Sequence, residues 1–198
     1  MLDFLANAGA AFIPLFLAVD PLGTVPIFLA LAEEFPIPER RAIVRQSMLT
    51  AVPLSIGFVL AGDAMFRVLG IQDNDFFIAG GAILFVIALH DIGGFRKAPV
   101  ASSGRFVGVV PLGTPLIAGP ATLAAALAML KRHGMGPTLT ALVANLVLLW
   151  VALRFAEPIS RALGTAGLRA ISKLIMLLLA ALAVMLIREG VTDIIAGG

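Results

Sequence analysis

Six apolar stretches alternate with short polar connections along the chain, at about 4–32, 43–62, 76–92, 106–130, 137–155 and 170–188. Each is close to the roughly 17 to 25 residues that a helix needs to cross the hydrocarbon layer of a bilayer. The pattern predicts an all-α, polytopic membrane protein with six transmembrane helices. The longest polar connections, 33–42 and 91–105, are too short to build a core of their own, so residues 1–198 read as a single integral membrane domain. The first span is longer than the apolar region of a signal peptide and no Lys or Arg precedes it. It is expected to be retained, with the mature chain beginning at or near Met1.

Composition agrees: 60% of the residues are hydrophobic and 13% charged, with no Tyr and one Trp, far from a soluble domain. The basic residues set an orientation, because cytoplasmic connections collect Lys and Arg. Arg40, Arg41, Arg45, Arg96, Lys97, Arg105, Arg154, Arg161, Arg169 and Lys173 fall on one side, against Arg67, Lys131, Arg132 and Arg188 on the other. Both termini are therefore expected on the non-cytoplasmic side. The net charge of +2 reflects this bias and gives no sign of nucleic-acid binding, which needs a basic surface with stacking aromatics. Cysteine is absent, so disulfides and thiolate metal sites are excluded.

One carboxylate departs from the pattern. Asp20 lies near the middle of the first span and is followed by Pro21-Leu22-Gly23-Thr24-Val25-Pro26, which cannot continue a regular helix. In hydrocarbon each backbone group freed by such a break costs several kcal/mol, roughly, so the break must face protein or a watery cavity. The motif also recurs. Pro21-Leu22-Gly23-Thr24 reappears as Pro111-Leu112-Gly113-Thr114, followed by Pro115, and Arg67-Val68-Leu69-Gly70 as Arg161-Ala162-Leu163-Gly164, at offsets of 90 and 94. Two matches nearly in register favour a duplication, with one pseudo-repeat at about 1–95 and a second at about 100–198. Three spans per half is an odd number, so the second half enters the membrane from the opposite face and the repeats are inverted. Interrupted helices in corresponding places of inverted repeats are the sequence signature of a secondary transporter's binding site. Here they are helices 1 and 4.

In the fourth span Pro111 and Pro120 give two candidate breaks, around Thr114-Pro115 and at Gly119-Pro120-Ala121-Thr122. Thr114-Pro115 has the form of a cap and first residue of a restarting helix. A restarted helix offers free amides and the positive end of its dipole, which suit the carboxylate of a ligand. Spacing alone leaves open which of the two breaks lies opposite Asp20.

Val19 to Phe28, Ile78-Ala79-Gly80-Gly81-Ala82-Ile83-Leu84-Phe85 and Pro111 to Pro120 together resemble the MarC family, also called the small neutral amino acid transporter family, over almost the whole chain. The resemblance implies an inner-membrane protein of two inverted three-helix repeats that moves small neutral amino acids such as glycine or alanine. A proton or sodium gradient is the implied driving force, with no bound cofactor. Drug efflux does not follow from the family's name, which derives from multiple antibiotic resistance. Thr114-Pro115 and Pro120-Ala121 depart from the family's common pattern, an alanine-containing segment and Pro-Gly.

Each candidate has a functional and a structural reading. Asp20 is a proton carrier or sodium ligand, or else an acid that caps the broken helix; a charge at the centre of a span costs at least about 2.5 to 3.5 kcal/mol, which favours function. Its counterpart in the second repeat is Val110, so coupling would be asymmetric. Gly23, Gly113 and Gly119 either admit a ligand close to the backbone or accommodate the turn. Gly80 and Gly81 point to helix packing before ligand contact, and Asn145 to a bond between helices before one to substrate. His90-Asp91 and His133 belong to solvated ends, and Arg45 and Lys173 reach for the interface. Enzyme chemistry has no support, with neither a metal-spaced histidine pair, a phosphate loop nor a nucleophile set.

The expected site is thus Asp20, Pro21, Gly23, Thr24 and Pro26 with Gly113, Thr114, Pro115, Gly119, Pro120 and Thr122, and Gly80, Gly81 and Asn145 as secondary candidates. The expected function is secondary active transport by alternating access. The expected partners are a small neutral amino acid and the lipid bilayer, with a homo-oligomer allowed. A passive channel and a non-transporting membrane regulator are the rival readings.

Overall fold

The computed structural model describes residues 2–93 and 108–197. Its elements are helical throughout these residues: α1 (Leu2–Val19), α2 (Pro21–Ala32), α3 (Ile37–Leu69), α4 (Asp73–Ile92), a π-type segment (Gly108–Ile117), α5 (Pro120–His133), α6 (Met135–Arg154) and α7 (Ala156–Gly197). Arg96, Lys97, Arg105 and the boundary between the pseudo-repeats lie outside the described residues.

Among the described residues, five stretches are long and apolar enough to cross a bilayer: Leu2–Ala32, Ile37–Gly62, Asn74–Ile92, Met135–Arg154 and Ala156–Ala196. The fourth expected span, 106–130, is not one helix. It consists of the π-type segment and the 14-residue α5, which are too short to cross separately. The cause is local, because Pro111, Pro115 and Pro120 each remove an amide that a continuous helix would use. The helices also outrun the apolar stretches that marked them: α3 continues to Leu69 and α7 begins at Ala156. Arg, Glu and Ala in the outer turns of α3 are good helix formers, so that helix persists where the hydropathy ends, whereas α7 is broken at Gly164 into two helical pieces.

The packing has a reciprocal order. α1 lies on α6 while the π-type segment lies on α3; α2 lies on α7 while α5 lies on α4. α4 and α7 form the most extensive pair. Their closest approach is made by small residues, since a Cβ on Gly81 would stand 2.7 Å from the Ala183 carbonyl oxygen and one on Gly190 2.7 Å from that of Asn74. Gly70 and Gly164, which close the two recurring tetrapeptides, share a left-handed backbone with φ of 69° and 68°. Each marks a turn in the chain that a side chain would strain.

Polar contacts hold the two ends. At one end His133 Nδ1 lies 3.1 Å from Asn7 Oδ1, and Arg132 pairs with Glu189 and covers the Phe77 ring. At the other, Arg40 pairs with Glu157 at 2.9 Å and donates to the carbonyls of Phe35 and Glu33, fixing the turn between α2 and α3.

Candidate functional site

The break between α1 and α2 is built by Asp20. Its backbone is left-handed, with φ 44° and ψ 66°, and it is the only described non-glycine residue at positive φ. Such a conformation costs a non-glycine residue of order 1 to 3 kcal/mol and persists only where the surroundings enforce it. Here they do so from both sides. Asp20 Oδ1 accepts the Gly23 amide at 3.0 Å, capping α2, and Oδ2 accepts the Ser172 hydroxyl of α7 at 3.0 Å. The Asp20 carbonyl accepts both the amide and the hydroxyl of Thr24, at 3.0 and 2.9 Å. Pro21 and Pro26 leave the Leu17 and Leu22 carbonyls without the amide four residues on, as the sequence demands.

Asp20 is 3% exposed and Thr24 2%, so this carboxylate sits inside the protein and away from lipid. Gly23 has a specific reason to be glycine. A Cβ there would overlap Asp20 Oδ2 and stand 2.5 Å from Ser172 Oγ. The sequence singled out Asp20, Gly23 and Thr24 but missed Ser172, whose neighbours Ile171 and Lys173 give it no motif. Its polarity near the start of an apolar run was the one available signal.

The fourth-span break is double. Val110 (φ −133°, ψ 124°) and Thr114 (φ −140°, ψ 128°) are extended, and the Ala118 amide reaches back five residues to the Gly113 carbonyl at 3.1 Å. Gly119 is extended again and α5 starts at Pro120. The Thr122 hydroxyl donates to the Ile117 carbonyl at 2.7 Å, replacing a backbone bond lost at the break. Gly113 faces α3, where a Cβ would meet Thr50 Cβ at 2.9 Å and the Ser47 carbonyl at 3.2 Å. Close helix contact therefore explains Gly113.

Depth distinguishes the two breaks. α1 packs against α5, and their outer ends meet at Asn7 and His133. From that contact, thirteen residues along α1 lead to Asp20 and thirteen back along α5 lead to Pro120. At 1.5 Å per residue both breaks lie roughly 20 Å in from the same end. Gly119-Pro120 is thus level with Asp20, and the bends at Thr114 and Val110 fall elsewhere, on α3.

The secondary candidates separate likewise. Gly81 packs on α7, and Gly80 is bounded by the Phe76 ring of its own helix at 3.4 Å and by Ala124 Cβ at 3.9 Å. Asn145 is fully buried and donates to the Phe12 carbonyl at 3.1 Å and the Ala141 carbonyl at 2.9 Å, tying α6 to α1. Among the described residues no group of three or more His, Cys, Asp or Glu side chains is placed to hold a metal.

A bundle of apolar, membrane-length helices that encloses a buried acid at a helix break defines a multi-pass integral membrane protein. The family model described as MarC family integral membrane protein matches residues 5–195, and the chain belongs to this family. It is 34% identical over 190 residues to the UPF0056 inner membrane protein YhgN of Escherichia coli K12, covering 92% of this chain and 94% of that one. It is 30% identical over 192 residues to the UPF0056 membrane protein MJ1677 of Methanocaldococcus jannaschii, covering 91% and 94%. The UPF0056 membrane protein YvbG of Bacillus subtilis is 30% identical over 193 residues, covering 90% and 91%. No solved structure matches the chain.

Proposed function

We propose that this chain is a secondary active transporter of small neutral amino acids, of the glycine and alanine class, working by alternating access in a bacterial inner membrane and coupled to a proton or sodium gradient. The observation that carries the reading is the buried Asp20 carboxylate at a helix break, bonded across the bundle to Ser172. An intramembrane acid held among donors is the kind of group that marks an ion or proton pathway.

Several features support an inverted pair of three-helix repeats. With α1 and α2 joined as one broken span and the π-type segment and α5 as another, the spans among the described residues number six. The reciprocal packing of α1 on α6 and the π-type segment on α3 is what a pseudo-two-fold axis would generate, as are the matched left-handed glycines. The basic ends near Arg40 and Arg154 face the cytoplasm in this reading, and the termini face away.

The two breaks have different roles. The Gly23 amide in the first turn of α2 is already bonded by Asp20, so this end answers to the coupling ion. The amides at the start of α5, beside the buried Gly119 and Thr122, are the ones offered to a substrate carboxylate. Pro21, Pro26, Pro115 and Pro120 keep the backbone open at these points. Rocking of one repeat against the other would expose the level of Asp20 and Pro120 to each side in turn.

Uptake of labelled glycine and alanine by liposomes containing the purified protein, under an imposed proton or sodium gradient, tests the proposal. Saturable accumulation with counterflow is expected. Non-saturating flux without counterflow would make the protein a channel, and absence of flux a non-transporting membrane protein.

A further inference from the structure

Arg41 and Arg45, one turn apart on α3, face Trp150 and Arg154, one turn apart on α6, across a groove of about 490 Å³. Pro38, Ala42 and Val44 complete its lining, which contains no acidic residue. The three arginines are exposed and make no hydrogen bond or ion pair among the described residues. The neighbouring Glu157 does not neutralise the groove, since it pairs with Arg40 and lies 3.9 Å from Arg161. Three like charges around one hollow repel each other unless an anion sits between them.

The surroundings say which kind of anion. Arg154 ends α6, and Trp150 lies one turn, about 6 Å, further into the apolar part of the helix, where tryptophan commonly marks the membrane interface. Below the charged rim the same faces continue as exposed apolar residues: Leu49 on α3 is 68% exposed, and Val147 and Val143 on α6 are 53% and 42% exposed. The track is charged at the mouth and oily beneath it. A soluble phosphate would use the arginines alone, whereas a phospholipid would use the whole track.

We infer that the groove between α3 and α6 is a binding site for an anionic glycerophospholipid, its phosphate held by Arg41, Arg45 and Arg154 and its acyl chain laid along Trp150, Val147 and Leu49. Arginine's planar fork matches phosphate oxygens, and basic pockets between membrane helices are suited to such headgroups. The site is separate from the helix breaks and does not depend on what the protein transports.

The test is titration of delipidated protein in neutral detergent with phosphatidylglycerol, phosphatidylcholine or inorganic phosphate, read by thermal stability and native mass spectrometry. Phosphatidylglycerol is expected to bind and raise the melting temperature, with no comparable effect from the other two. The triple variant R41Q/R45Q/R154Q should bind phosphatidylglycerol on the order of a hundredfold more weakly, and Arg45→Gln or Arg154→Gln alone about fivefold, from the attraction each basic residue adds. The single variants decide the matter should the triple variant not fold. Equal stabilisation by phosphatidylcholine, saturation by inorganic phosphate, or unchanged affinity in the variants would overturn the inference. So would a lipid-free dimer that the substitutions dissociate, which would give the groove to a second copy of the chain.

Discussion

Asp20 and Ser172 stand 152 positions apart in the chain, yet the serine hydroxyl donates to the buried carboxylate at 3.0 Å. This bond joins the break between α1 and α2 to α7, and so links the first half of the protein to the second. Replacing Ser172 by Ala leaves a buried carboxylate oxygen short of a donor, an effect of about 1 to 3 kcal/mol. The variant should melt at lower temperature, and Ser172→Thr, which keeps the hydroxyl, should recover part of the loss. A Ser172→Ala protein as stable as the wild type would show that the bond contributes nothing.

Gly23→Ala is expected to be more severe than Ser172→Ala, because the new methyl group would occupy the position of Asp20 Oδ2 and displace the carboxylate from the Gly23 amide and the Ser172 hydroxyl. Circular dichroism melting in detergent, run on both variants side by side, measures the order. Equal melting temperatures would mean that the break can move aside for a methyl group.

The glycine pair in α4 makes a sharper contrast. At Gly81 an added Cβ meets backbone, the Ala183 carbonyl oxygen at 2.7 Å, whereas at Gly80 its nearest neighbour is a movable Phe76 ring at 3.4 Å. Gly81→Ala should force α4 and α7 apart and cost about 1 to 3 kcal/mol, as overpacking typically does. Gly80→Ala should be near neutral, and thermal denaturation of the two variants would distinguish them.

These residues also show where the sequence was informative. The break at Asp20 was legible because Pro21 and Pro26 forbid helical hydrogen bonds by covalent structure alone, and a charge amid apolar residues is hard to mistake. The double break of the fourth span was legible for the same reason. Its depth was not, since the prolines mark where a helix stops but only the contact of Asn7 with His133 shows how far each stop lies from the end of the bundle. Ser172 escaped notice because its role depends entirely on α7 passing beside Asp20, a matter of packing that no local pattern encodes. The length of α3 was underestimated because hydropathy reports the solvent around a helix and not the helix itself.

His133 gives a pH dependence. Burial, and then the adjacent Arg132 charge, lower its pKa below the usual 6.5. The unfolded chain therefore binds more protons than the folded one between the lowered value and 6.5, so stability rises with pH through this window and falls as the solution is acidified. Replacing His133 by Asn should flatten the slope of melting temperature against pH just below 6.5. An unchanged slope would assign the dependence to other groups.

The central claim is that Asp20 couples an ion gradient to movement of the substrate, and Asp20→Asn in proteoliposomes tests it most directly. Asparagine keeps the shape and can still accept the Gly23 amide, but it cannot carry the negative charge. Under an imposed proton or sodium gradient, accumulation of labelled glycine or alanine should vanish, while exchange against unlabelled amino acid inside the vesicle persists. Undiminished gradient-driven accumulation in this variant would contradict the account.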